Sequence, residues 1–206
     1  MNKIIVDLKK ILRVGKAVST EPQKYILHGV LIKDFEKNGQ FYRDYVATDG
    51  RIMLIEREKR EKIELENPII AKPEKVKLTR AEQKFDGIDI ELTEIDGNYH
   101  HKYGKFEKID GCYPNYWAIF KKELKETTVH NYINNKYLKL ASEFFETDKA
   151  IKFYSEKDKQ EEPQFALDYN CNIFKMAVIM PMHCLEITDI KEINKNLQKW
   201  AFGEII

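Results

Sequence analysis

Residues 25–55, YILHGVLIKDFEKNGQFYRDYVATDGRIMLI, constrain the fold more than any other part of this chain. Two runs in which apolar residues recur at every second position flank Asn38 and Gly39, the pair best suited to the positive φ angles of a tight hairpin turn. The second run ends at Ala47-Thr48-Asp49-Gly50-Arg51, a turn signal, and a third strand-like run, 52–56, follows at once. The stretch predicts a three-stranded antiparallel meander.

Around this meander the chain has room for one large or two modest domains: 206 residues, 43% of them hydrophobic, suffice for a packed core. Lys and Arg number 35 against 34 Asp and Glu, a formal charge of +1, so affinity for nucleic acid has to come from a local patch rather than a global field. Cys112, Cys171 and Cys184 are an odd number without Cys-x-x-Cys spacing, which suits a reducing compartment better than a disulfide scaffold. The N-terminus is charged too early for a secretory signal, and no window approaches the ~20 apolar residues of a membrane span. A soluble cytoplasmic protein with no membrane partner is expected.

Residues 3–6 form a short strand candidate, and Asp7 can cap a helix running to about Val18. On a helix, Leu8, Ile11, Val14 and Val18 share one side, whereas Lys9, Arg13 and Lys16 share the opposite one with Lys10 beside them. An ordinary solvated face accounts for such a run, but its lack of acid also suits phosphates. Further on, 56–62 (EREKREK) reads as a solvated strand end or loop, 63–71 as a strand interrupted by Pro68, and 73–85 (PEKVKLTRAEQKF) as weakly amphipathic. Residues 88–95 alternate apolar and acidic side chains like a strand with one wet face, and Asp96-Gly97 turns them back into 99–106. Pro114 makes 113–120 (YPNYWAIF) a crossing segment rather than a central strand.

Residues 129–133 and 136–145 repeat the opening strand and helix, with Asn134 as cap. Here Tyr137, Leu138, Ala141, Phe144 and Phe145 share one side, while Lys136 and Lys139 mix with Glu143 and Glu146 on the other. Strands at 151–154, 164–169 and 177–182 follow, and Asp189 and Glu192 open a terminal helix carrying Ile190, Ile193, Leu197 and Trp200 at helical spacing. No nucleophile with a base and no phosphate-cradling glycine loop is visible. His100 and His101 point to opposite faces of a strand, and His183-Cys184 lacks a second ligand pair at zinc spacing. Neither a metal nor a cofactor is expected.

Three segments in order carry a resemblance. A strand ending Ala-Thr-Asp-Gly-Arg (47–51) after the YILHGVL of 25–31, the Gly-Cys-Tyr-Pro-Asn-Tyr of 111–116 and the Ala-Val-Ile-Met-Pro-Met of 177–182 resemble segments of the bacterial DNA polymerase III beta sliding clamp, the first of them in its middle domain. The resemblance spans roughly residues 2–183. It implies an α+β, DNA clamp-like fold built of strand-helix-strands units with antiparallel sheets. The division would be a middle-domain-like unit at 1–122, a partial C-terminal-domain-like unit at 123–184 and a C-terminal helical extension at 185–206, with the family's first domain missing. It further implies a non-catalytic processivity factor, a homo-oligomer around duplex DNA that tethers a DNA polymerase or other replication protein by a short linear peptide.

On that resemblance Lys9, Lys10, Arg13 and Lys16 fall on a DNA-lining helix, and Lys136 and Lys139 on its repeat. The partner groove would be made of Thr48, Gly50, Arg51, Ile52 and Met53, of Pro114 and Ile119, and of Val178, Met180 and Met182. Without the fold these are ordinary strand and core residues. The sequence also leaves open a non-ring, clamp-derived adaptor or decoy and, from a different class, an unrelated small-molecule enzyme. The tail motif Gln198-Lys199-Trp200-Ala201-Phe202 loosely resembles the peptides such grooves accept.

Overall fold

The computed structural model of the protein describes residues 3–119, 125–126, 133–146, 153–155, 163–170 and 173–180. Strand β1 (Lys3–Asp7) runs directly into helix α1 (Leu8–Val14), where the Asp7 carboxylate accepts from the Lys9 amide at 2.8 Å and so satisfies a donor that a helix start leaves open. A 3-10 turn, Gly15–Ala17, ends the helix before the expected Val18. A second 3-10 segment, Pro22–His28, replaces the beginning of the first expected strand. Proline at its start has no amide to give a ladder, and His28 Nε2 closes the segment 2.9 Å from the Glu21 carbonyl.

The meander follows as β2 (Val30–Lys37), β3 (Gln40–Thr48) and β4 (Ile52–Arg60). Asn38 and Gly39 have φ angles of 54° and 72°, the sign that lets a two-residue turn match the twist of its strands. Next come β5 (Ile69–Lys72), β6 (Asp89–Ile95), β7 (Asn98–His101), β8 (Gly104–Lys108), β9 (Lys125–Glu126), helix α2 (Asn135–Phe145), β10 (Phe153–Ser155), β11 (Gln164–Asn170) and β12 (Ile173–Ile179). Asp96 and Gly97 repeat the positive-φ turn between β6 and β7. All these strands join one antiparallel sheet in the order β1-β6-β7-β8-β5-β2-β3-β4-β12-β11-β10-β9. The junction is β4 against β12, with Ile52 opposite Ile179, Met53 opposite Val178 and Leu54 opposite Ala177.

Period-two alternation divides the interior into two cores. Ile32, Tyr45, Ala47, Leu54, Ala177 and Ile179 face the helices and meet Leu8, Ile11 and Val14 of α1 and Tyr137, Ala141 and Phe144 of α2. Leu31, Val46, Met53, Ile55, Met176 and Val178 face the other way, beneath Ile109 and Tyr116. Strands apolar on both faces are stable only at the centre of a covered sheet, and each such side chain contributes about 1.5–3 kcal/mol on burial. The α+β, clamp-like architecture of strand-helix-strands units is as the resemblance implies.

Several local expectations are corrected. Strand 63–71 shrinks to Ile69–Lys72 because Asp34 Oδ2 takes the amides of Glu64 and Leu65 at 2.9 and 3.0 Å, leaving them no ladder to join. Strand 99–106 breaks in two where the Tyr103 amide donates to His101 Nδ1. Of the two expectations for the charged run from Glu56, strand end and loop, the strand end holds, since β4 continues to Arg60, but Glu56 itself is fully buried rather than solvated. The expected strand at 129–132, Met182, Cys171, His183-Cys184 and the terminal helix with its tail motif lie outside the described residues.

Candidate functional site

Where the outer core reaches the β3–β4 turn, the chain encloses a cleft of about 210 Å³. Thr48, Gly50, Arg51, Ile52 and Met53 line it from the turn, Pro114 and Ile119 from the crossing segment, and Val178 and Met180 from β12. The structure thus brings together all the described residues expected in the groove; Met182 lies outside them. Leu27, Tyr113, Asn115 and Tyr116 complete the lining. Leu27 carries no sequence signal for a cleft because its segment reads as a strand; the other three sit inside the motif that contains Pro114.

The turn is held from within. Asp49 Oδ1 accepts the amides of Arg51 and Ile52 at 2.8 and 3.0 Å, and the Thr48 hydroxyl donates to the Ile52 carbonyl at 2.7 Å. Gly50 has φ +91°, a conformation that favours glycine. The Met180 amide donates to the Arg51 carbonyl at 2.8 Å and fastens the end of β12 to the turn. From the helix side, the Tyr137 hydroxyl of α2 donates to Asp49 Oδ2 at 3.2 Å.

The crossing segment is held by a charged pair in an aromatic setting. Arg57 donates through two nitrogens to the Asp44 carboxylate at 2.6 and 2.9 Å, and Tyr116 donates its hydroxyl to the same carboxylate at 2.8 Å. The guanidinium lies 4.6 Å from the Trp117 ring and 4.7 Å from that of Phe35, where a flat, weakly hydrated cation is attracted to ring faces. Burial, reinforced by the Asp44 charge, pushes the Tyr116 hydroxyl well above its usual range, so it stays a donor. Upstream, Gly111 has φ +154°, and a Cβ there would stand 2.1 Å from Ile26 Cδ1. Met53 is buried as part of the floor, whereas Met180 is 39% exposed at the rim; an unbranched thioether adapts its shape to what it meets.

The helical face differs from its sequence pattern. Acid absent from α1 itself is supplied by β4. Lys10 is buried and ion-paired with Glu58 and with Asp7, the latter at 3.1 Å. Burial works against its charge, but Glu58 and Asp7 outweigh it and hold the ammonium above its ordinary value. Arg13 forms a two-point pair with Glu56, at 3.0 and 2.7 Å. Lys16 pairs with Glu143 of α2 at 3.2 Å on the surface. The expectation of an unopposed basic stripe is therefore corrected: Lys10 and Arg13 are turned into the protein and neutralised. Lys9 remains partly exposed with its ammonium 2.7 Å from the Gln83 carbonyl, and Lys136 and Lys139 are exposed on α2.

Two helices on one face of a continuous antiparallel sheet, with an apolar cleft at the strand ends opposite, define a clamp-like α+β fold. Solved structures similar to it are sliding clamps: that of Caulobacter crescentus (13% identity, 89% of this chain and 66% of that one, TM-score 0.63), that of Bartonella birtlesii bound to griselimycin (13%, 88% and 66%, 0.62) and that of Pseudomonas aeruginosa (11%, 88% and 67%, 0.61). The fold is that of the bacterial DNA polymerase III beta sliding clamp. This chain spans just under two thirds of the length of the first two neighbours. No protein-family model matches it, and no curated protein does. Among the described residues no helix is long and apolar enough to cross a membrane, and no group of three or more His, Cys, Asp or Glu is placed to hold a metal ion.

Proposed function

We propose that the protein is a non-catalytic tether of the clamp type, which docks a short linear peptide of a polymerase or other replication protein in its apolar cleft while its helical face contacts duplex DNA. The observation that carries this reading is the convergence of segments around Thr48, Pro114 and Met180 on one cleft. An apolar, methionine-bearing cleft suits Leu, Met and Phe anchors of a linear peptide. On the helical face Lys9, Lys16, Lys136 and Lys139 are the residues of the predicted set that remain for phosphates; such contacts position a protein without reading sequence.

The test is fluorescence anisotropy with a labelled peptide containing Gln and Phe. Met180→Glu, at an exposed rim position, should weaken capture at least tenfold without changing the circular dichroism spectrum. Unchanged affinity would sink the docking role. A second reading, a non-ring adaptor or decoy that keeps the cleft without encircling DNA, is favoured by the pairing of Lys10 with Glu58 and of Arg13 with Glu56, which takes up two of the cations expected to line a ring. Light scattering decides between the two, since a closed ring requires a symmetric oligomer of fixed size.

A further inference from the structure

Residues 73–84 occupy the helical side of the sheet without forming a second long helix. They begin at Pro73, whose Cγ would stand 3.0 Å from a Cβ on Gly15 at the end of α1, and the chain continues antiparallel to α1 until Gly87 meets Asp7 at its start. Val76 and Leu78 pack on the helix-side core. In an extended chain their neighbours Lys75 and Lys77 face the opposite way, and both are exposed, as are Arg80 and Lys84.

This strap is pinned along its length. Thr79 and Glu82 exchange capping hydrogen bonds of 2.9 and 3.2 Å, and the Tyr103 hydroxyl donates to Glu82 Oε1 at 2.5 Å. Lys9 donates to the Gln83 carbonyl, and Arg13 to the Asp86 carbonyl at 3.3 Å. Among the described residues none of Lys75, Lys77, Arg80 and Lys84 forms an ion pair, in contrast to Lys10 and Arg13 of α1 and Lys16 of the turn that ends it. The strap's own acids lie elsewhere: Glu82 is held by Tyr103 and Thr79, Glu74 acts electrostatically on His101 and Lys72, and Asp86 lies at the far end beside Arg13.

We infer that this strap, rather than helix α1, is the main phosphate-contacting element of the helical face, with Lys75, Lys77, Arg80 and Lys84 as its charges. The inference rests on the reading that this face meets duplex DNA. A cation already held by a buried carboxylate releases no counterion on meeting a phosphate, whereas an unpaired one on a fixed backbone does so at little ordering cost. The partner is the sugar-phosphate backbone, without preference for sequence.

The experiment measures binding of the full chain to a short fluorescent duplex across a salt series. The variant K75Q/K77Q/K84Q is compared with the wild type and with the charge-matched K33Q/K37Q/K59Q, which leaves the strap intact. The strap variant should lower the slope of log affinity against log salt by roughly 2 to 3, at ~0.9 per lost contact, and the control should leave it unchanged. Wild-type binding with the same slope in both variants would overturn the strap's role while leaving DNA contact by the face standing. A wild type that does not bind duplex at any salt would overturn both. Loss of binding to anionic phosphatidylglycerol vesicles with an unchanged duplex isotherm would assign the strap to a membrane surface and overturn the proposal too.

Discussion

Glu56 shows how a single residue changes the meaning of its neighbours. In a run of alternating charges it looks solvated, yet strand alternation aims it at α1, where it is fully buried and grips Arg13 through two hydrogen bonds. Removing one member of such a pair leaves the other charge without compensation in a place water hardly reaches. Glu56→Ala should therefore cost about 3 kcal/mol, read as a lower urea midpoint at constant slope. Replacing both partners, Arg13→Met with Glu56→Met, should recover most of that loss. If the double variant is no more stable than the single one, the pair contributes packing rather than charge compensation.

Among the elements, the strap depends on one carboxylate. The Tyr103 hydroxyl, then the amide and hydroxyl of Thr79, hold Glu82 down from 4.5 to about 2. Because the folded value lies below the unfolded one, this pin is complete above pH 4.5 and is lost as pH falls through about 2. Tyr103→Phe removes the leading cause, so the Glu82 carboxyl resonance should titrate closer to its ordinary midpoint, and strap amides should exchange faster. A wild-type midpoint near 4.5 would mean that Tyr103 does not grip the strap. The crossing segment shows the same dependence on distant support: Pro114 and Ile119 reach the cleft because Asp44 and Arg57 of two other strands hold Tyr116 and Trp117.

At the scale of the whole molecule, the pairing of β4 with β12 makes the two strand-helix-strands units one sheet. Two units that share a central ladder should unfold together. The Met180 amide donates to the Arg51 carbonyl, so by strand alternation Met176 also donates toward β4, opposite Ile55. Met176→Pro removes that donor at a cost of about 3 kcal/mol or more. The wild type should melt in one calorimetric transition and the variant in two. A single transition in both would show that the helix-side core, rather than the ladder, couples the units.

The meander, the Asn38-Gly39 and Asp96-Gly97 turns, the Asp7 and Asn134 caps and the apolar side of each helix were legible in the sequence, because propensity, turn chemistry and periodicity act over a few residues. The cleft was legible only through resemblance, since Thr48, Pro114 and Met180 are far apart along the chain and nothing local relates them. What the basic residues do was not legible at all. A helical pattern shows which cations share a side, but beyond Asp7 the acids that neutralise Lys10 and Arg13, Glu58 and Glu56, come from β4, more than forty residues away. Four of the cations that form no ion pair among the described residues, Lys75, Lys77, Arg80 and Lys84, lie on a strap that has no periodic signature of a helix. Local order is written in neighbouring residues; charge compensation and cleft lining depend on which distant backbones the sheet brings side by side.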